Sequence, residues 1–149
     1  MKPIVLVMAL FLPIFAGASE CSYYAAKSKA LGCAKSDYLM RFGDRYCRKF
    51  LREQPEYTPT GQKFLSAIRS CLIRSLESSS GVNCTTVKAI AEGTHVSCYL
   101  ANGFCTLPDQ DKWRLFWTVW PEIFDPGFRT VMDEIQHECE GEEFTSAPK

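Results

Sequence analysis

Thr58-Pro59-Thr60-Gly61-Gln62-Lys63-Phe64-Leu65-Ser66-Ala67-Ile68-Arg69-Ser70-Cys71-Leu72-Ile73-Arg74-Ser75-Leu76 is the stretch that decides the fold class. Phe64, Leu65, Ile68, Cys71, Leu72 and Leu76 recur at helical spacing and so share one side of a helix. Thr58 offers an N-cap oxygen, and Pro59 takes the first helical position, where its missing N–H is no loss. The turn Gln54-Pro55-Glu56-Tyr57 before this helix and Ser78-Ser79-Ser80-Gly81 after it are rich in breakers and bound it.

The same period continues outward in both directions. Upstream, Leu39, Gly43, Tyr46, Cys47 and Phe50 form a stripe, with Ser36 or Asp37 as N-cap. Downstream, Val87, Ile90, Ala91, Thr94 and Cys98 form another, stopped by Asn102-Gly103. Pro108 opens a shorter helix with Trp113, Phe116, Trp117 and Trp120 at i, i+3, i+4 and i+7, and Pro121 ends it. Asp125-Pro126 starts a last helix with Phe128, Val131, Met132, Ile135 and Cys139 inward. Gly141 ends that helix and leaves residues 142–149 as a disordered tail. No alternating run of β-branched residues asks for a strand. The expectation is an all-α domain of about five helices.

Lys2, the apolar run over residues 4–15 and the small residues Ala16-Gly17-Ala18 read together as a secretory signal peptide, residues 1–18. The run is too short to span a bilayer, which takes about 20 residues. Residues 19–141 then form one domain, and the chain is expected outside the cell. All eight cysteines, Cys21, Cys33, Cys47, Cys71, Cys84, Cys98, Cys105 and Cys139, follow the cleavage site. An even count in an oxidising compartment reads as a disulfide framework whose pairing spacing alone leaves open. There is no C-x-x-C pair, so no zinc site, and no other metal or cofactor, is expected.

Seventeen basic residues balance seventeen acidic ones, which gives no field for nucleic acid. His95 and His137 stand on separate helices, and no hydrolase, zincin or nucleotide-loop motif is present, so catalysis is not expected.

The segment Tyr46-Cys47-Arg48-Lys49-Phe50-Leu51, followed by Thr60-Gly61-Gln62-Lys63-Phe64 and then Cys71, resembles the stanniocalcins, secreted glycoprotein hormones linked to calcium and phosphate balance. The intervals from Cys47 to Cys71, Cys98 to Cys105 and Cys105 to Cys139 are similar to the family's, as is the segment from Cys84-Thr85-Thr86 to Cys98-Tyr99 with Ala89-Ile90-Ala91-Glu92 inside it. The resemblance spans Cys21 to Cys139. It implies the bridges Cys33–Cys47, Cys71–Cys98 and Cys105–Cys139. Two family cysteines are missing here, which leaves Cys21 to pair with Cys84. The family's long tail with its intersubunit cysteine is also missing, so no disulfide-linked dimer is expected. The one glycosylation sequon is Asn83-Cys84-Thr85.

Two surfaces are candidates for partner binding. Arg41, Arg45, Arg48 and Arg52 recur at i, i+4, i+7 and i+11 on one helix face. The plain reading is a solvated face balanced by Asp44 and Glu53; the sharper one is a dock for a sulfated glycan or acidic partner. Trp113, Trp117 and Trp120 with Phe116 are expected in the core, and any exposed part would be a protein interface. Asp133, Glu134, Glu138, Glu140, Glu142 and Glu143 lack EF-hand spacing and read as a solvated acidic end. The functional expectation is a stanniocalcin-like hormone or extracellular regulator that binds a receptor or a secreted protease. The alternative is a helical carrier of small hydrophobic ligands, like the odorant-binding proteins.

Overall fold

Among the described residues, six α-helices are laid down in chain order: α1 (Ala16–Leu31), α2 (Arg45–Glu53), α3 (Pro59–Ser78), α4 (Val87–Ala101), α5 (Asp109–Val119) and α6 (Pro126–Thr145). The structure is a computed structural model that describes residues 16–145, with side chains from Glu20 to Gly141. The apolar leader over residues 4–15 and the last residues of the tail lie outside the described residues. Among the described residues there is no strand, and no helix is long and apolar enough to cross a membrane.

Three boundaries differ from the sequence expectation. α1 is a sixth helix, and its first turn contains the Ala16-Gly17-Ala18 site. It carries few aliphatic residues; what it buries is Cys21, Tyr24 and Ser28. The stripe beginning at Leu39 enters α2 through a π-helical turn, Leu39–Asp44, that packs on α1. Gly43 permits this contact: a Cβ there would collide with the Tyr24 ring. Finally, α6 continues through Gly141 to Thr145 instead of stopping at the glycine, because a lone Gly in a helix costs only about 1 kcal/mol.

α3 starts as its sequence requires. The Thr58 hydroxyl accepts from the Gly61 N–H at 3.1 Å and itself donates to the buried Asp111 carboxylate of α5. The Thr58 N–H adds a bond to the same carboxylate at 3.1 Å. Gly61 is obligatory here, since a Cβ would lie 2.5 Å from Asp111 Oδ2.

The apolar stripes converge on two clusters. One is aromatic and aliphatic: Tyr46, Phe50, Phe64, Leu65, Ile68, Tyr99, Leu115 and Ile135 belong to it. Burying each large apolar side chain contributes about 1.5–3 kcal/mol. The other joins α1 to the start of α4 and includes Cys21, Tyr24, Leu39, Cys47, Ile73, Leu76, Val87 and Ala91.

Four disulfides staple the chain, and no cysteine is free. Cys71–Cys98 joins α3 to α4, and Cys105–Cys139 joins the turn before α5 to α6, both as the resemblance implied. The other two differ from the implied pairing. Cys21 bonds Cys47 and Cys33 bonds Cys84, with Cα separations of 5.6 and 5.4 Å. The reason is α1, which lies along the π-helical turn and brings Cys21 against α2. The turn after α1 then carries Cys33 away from Cys47, to the loop ahead of α4.

Candidate functional site

The four arginines of the basic stripe are all exposed. Arg48 pairs with Asp44 at 2.9 Å, and Arg45 reaches Glu122 at 3.8 Å. Glu53 does not neutralise the stripe; it accepts from the Thr118 hydroxyl at 2.7 Å instead. Arg41 and Arg52 make no ion pair among the described residues. The stripe is thus half compensated, with charge left over at its two ends.

α5 is turned the opposite way to the expectation. Asp111, Leu115, Thr118 and Val119 face inward, while Trp113, Trp117 and Trp120 are 61%, 60% and 41% exposed. The physical reason is polar. Asp111 is captured by Thr58, and Lys49 donates to the Thr118 carbonyl at 2.8 Å, which fixes that edge of α5 against α2 and α3. The four aromatic rings pack on one another at the surface. Phe116 sits at the centre, 5.8 Å from Trp113, 5.5 Å from Trp117 and 5.0 Å from Trp120 between ring centroids. Phe124, 86% exposed, extends the apolar character beyond the helix. The exposed tryptophans and Phe116 thus form one contiguous aromatic patch on the surface.

A third feature was not anticipated residue by residue. An open cavity of about 340 Å³ is lined by the π-helical turn, α2, α3, α4 and α6. Its walls are largely aromatic. Tyr38 stacks on Phe42 at 5.3 Å, and Phe42 meets Tyr46 at 4.7 Å. His95 lies between Phe42 and Tyr99, at 6.2 and 6.0 Å. Its Nδ1 hydrogen-bonds the Ala91 carbonyl at 2.6 Å, which makes Nδ1 the protonated nitrogen and leaves Nε2 an acceptor. Burial holds the His95 pKa below its ordinary value, so the ring is neutral at physiological pH.

Charged groups on the cavity walls are mostly satisfied. Lys88 binds Asp125 at 2.7 Å and Glu92 at 3.6 Å. The Lys88 hydrogen bond holds the Asp125 carboxyl below the usual range. Glu122 accepts from the Tyr46 hydroxyl at 2.7 Å. Arg69 is the exception. It is buried; its Nη2 donates to Gln54 at 2.8 Å and its Nε to Glu20 at 3.4 Å, but Nη1 has no hydrogen-bond partner. Burial lowers its pKa, opposed by Glu20.

Asn83 is exposed in the loop before α4. Its Oδ1 accepts from the N–H groups of Thr85 and Thr86 at 2.9 and 3.0 Å, so it caps the chain's entry into α4. Cys33, Cys84 and Asp37 lie close enough to share an ion, but the two sulfurs are bonded to each other and offer no thiolate.

Aromatic recurrence every four residues, at Tyr38, Phe42, Tyr46 and Phe50, was the signal of the cavity wall; it runs beside the stripe of Leu39, Gly43 and Cys47. Fold and surfaces together define a small all-α scaffold, stapled by four disulfides, that offers an aromatic cleft and an exposed aromatic face. No protein-family model, curated protein or solved structure matches the chain.

Proposed function

We propose that this chain is a secreted, stanniocalcin-like extracellular regulator that acts in calcium or phosphate balance by binding a protein receptor or a secreted protease, not by catalysis. The observation that carries the reading is the pair of bridges Cys71–Cys98 and Cys105–Cys139, which are those the resemblance implies. The resembling segments also fall on structural landmarks: residues 46–51 lie on α2, and Thr60 to Phe64 open α3. Four disulfides suit an oxidising compartment. The exposed face of Trp113, Trp117 and Trp120 is the proposed protein dock, and the arginine stripe a secondary contact for sulfated glycan.

The full chain, expressed in secretory cells, should reach the medium with its leader removed before Ser19 and should alter calcium or phosphate uptake by epithelial cells or inhibit a secreted metalloprotease. Trp113→Ala/Trp117→Ala should abolish that effect while leaving the circular dichroism unchanged. A secreted protein inert in both assays, or a double variant as active as the parent, would reject the proposal. Arg45→Glu/Arg48→Glu should elute from heparin at lower salt; unchanged elution would remove the glycan contact. Asn83→Gln should lower the mass of the secreted protein by one N-glycan; an unchanged mass would show that the sequon is not used.

One observation favours a second reading, a carrier of small apolar ligands: the aromatic cleft.

A further inference from the structure

We infer that the aromatic cleft is a binding site for a small uncharged molecule with an apolar body and one hydroxyl group, which the tyrosine hydroxyls of the cleft receive. This rests on the carrier reading of the cleft and is independent of the proposed partner dock on α5. The volume, about 340 Å³, falls at the small end of the roughly 300–1,000 Å³ range of ligand sites. Ile68, Leu72, Phe128, Val131 and Met132 supply apolar wall from α3 and α6, which suits a body of one or two rings or a short chain.

The polar group follows from what the cleft leaves unpaired. Tyr24, Tyr38 and Tyr99 line it, and their hydroxyls make no hydrogen bond among the described residues. The hydroxyls of Tyr23 and Tyr57 are unpaired too, but those are sealed inside the protein, whereas the three in the cleft keep accessible surface. Tyr24 and Tyr99 are otherwise buried, at 5% and 8% exposure. The three hydroxyls act on one another electrostatically, Tyr38 with Tyr24 and Tyr99, and Tyr24 with Tyr99, so they share one part of the wall. His95 Nε2, on the same wall, is an acceptor without a donor. A hydroxyl on the ligand can accept from a tyrosine and also donate, whereas a ketone or ether can only accept.

The same wall disfavours a charged headgroup. Burial raises the pKa of all three tyrosines and lowers that of His95, so these groups are neutral at physiological pH. The carboxylates on the wall already have donors: Asp125 and Glu92 share Lys88, Glu122 takes the Tyr46 hydroxyl, and Asp37 accepts from the Ala34 N–H at 2.8 Å. Of the remaining cations, the unpartnered Nη1 of Arg69 is sealed off from the cleft, and Arg41 is exposed to water. An ionised headgroup would give up its hydration against neutral hydroxyls with no unpaired counter-ion inside, which is costly.

The test uses the secreted protein and four matched probes, 2-naphthol, naphthalene, 2-naphthoate and 2-naphthylmethylammonium, titrated in a calorimeter at neutral pH. 2-Naphthol should bind about tenfold more tightly than naphthalene, the margin of one or two neutral hydrogen bonds, and more tightly than either ion by about as much. Tyr24→Phe/Tyr38→Phe/Tyr99→Phe removes the hydroxyls and keeps the rings. It should bring 2-naphthol down to the affinity of naphthalene and leave naphthalene binding unchanged, which also reports that the cleft is intact. Val131→Trp, which fills the cleft from α6, should abolish binding of both. Naphthalene bound as tightly as 2-naphthol, with Val131→Trp blocking both, would overturn the hydroxyl inference and keep the carrier. Either ion bound as tightly as 2-naphthol would overturn the neutral headgroup, and 2-naphthol bound undiminished by the triple variant would overturn the role of the tyrosines. No binding by any probe would overturn the inference and the carrier together. Binding undiminished in Val131→Trp would place the ligand elsewhere and also overturn the inference.

Discussion

The two core clusters solve one problem by different means. The cluster around α3, α5 and α6 is built from large side chains, among them Phe50, Phe64, Leu65, Tyr99 and Ile135, and would hold by apolar burial. The cluster between α1 and α4 has smaller contents, and two of its buried members, Cys21 and Cys47, are the halves of one bridge. Cys33, half of the next bridge, packs on the same cluster. Where a helix such as α1 has little apolar surface to bury, covalent links stand in for it. α1 contributes so little aliphatic surface that burial alone would leave it marginal.

That contrast can be broken by experiment. Phe64→Ala, at a side chain only 3% exposed, should destabilise the domain by about 3–5 kcal/mol in urea unfolding, with α1 staying docked. Cys21→Ser/Cys47→Ser should cost about 2–4 kcal/mol and raise amide exchange in α1 first; uniform exchange across all helices would show that the two clusters are not separable. Thr58→Ala removes both an N-cap and a partner of buried Asp111, for an expected loss of about 1–3 kcal/mol. A loss under half of the lower bound would mean that the α3–α5 junction is held by packing alone.

The pH dependence sharpens the aromatic side. The folded pKa of His95 is lowered by burial, so as pH falls the unfolded chain, titrating at about 6.5, takes up its proton first. Stability is therefore undiminished above about 6.5 and declines as pH drops from there toward the lowered folded value. His95→Gln should flatten that decline in urea midpoints taken at successive pH values; an unaltered slope would assign the acid sensitivity elsewhere. The smallest effect is expected at the surface. Trp117→Ala should change stability by within about 0.5 kcal/mol, and a large loss would place that ring in the core after all.

Periodicity made α2 to α6 legible because each carries an aliphatic or aromatic stripe with a cap or breaker at its end. It could not show α1, whose buried residues are a cysteine, a tyrosine and a serine, nor the bridges that depend on where α1 lies. α5 reads as apolar on two sides, and hydrophobicity alone cannot choose between them. The choice is made by Asp111, a charged residue that the stripe argument passes over and that Thr58 holds inside. The cleft was least legible of all, since Arg69 and His95 look like ordinary polar residues until the elements of the cleft wall close around them.

The order of the bridges sets how the chain would behave once cut. Cys21–Cys47, Cys33–Cys84 and Cys71–Cys98 overlap in succession, so every peptide bond between residues 21 and 98 is spanned by at least one of them. Cys105–Cys139 encloses the rest separately. A protease that nicks anywhere inside either span leaves one covalently joined molecule, heavier only by the water added at the cut. The stretch between Cys98 and Cys105, with the exposed Ala101 and the left-handed Gly103, is the one bridge-free seam between the two spans. A single cut there yields two polypeptides with no covalent tie, which would part in denaturant without any reductant.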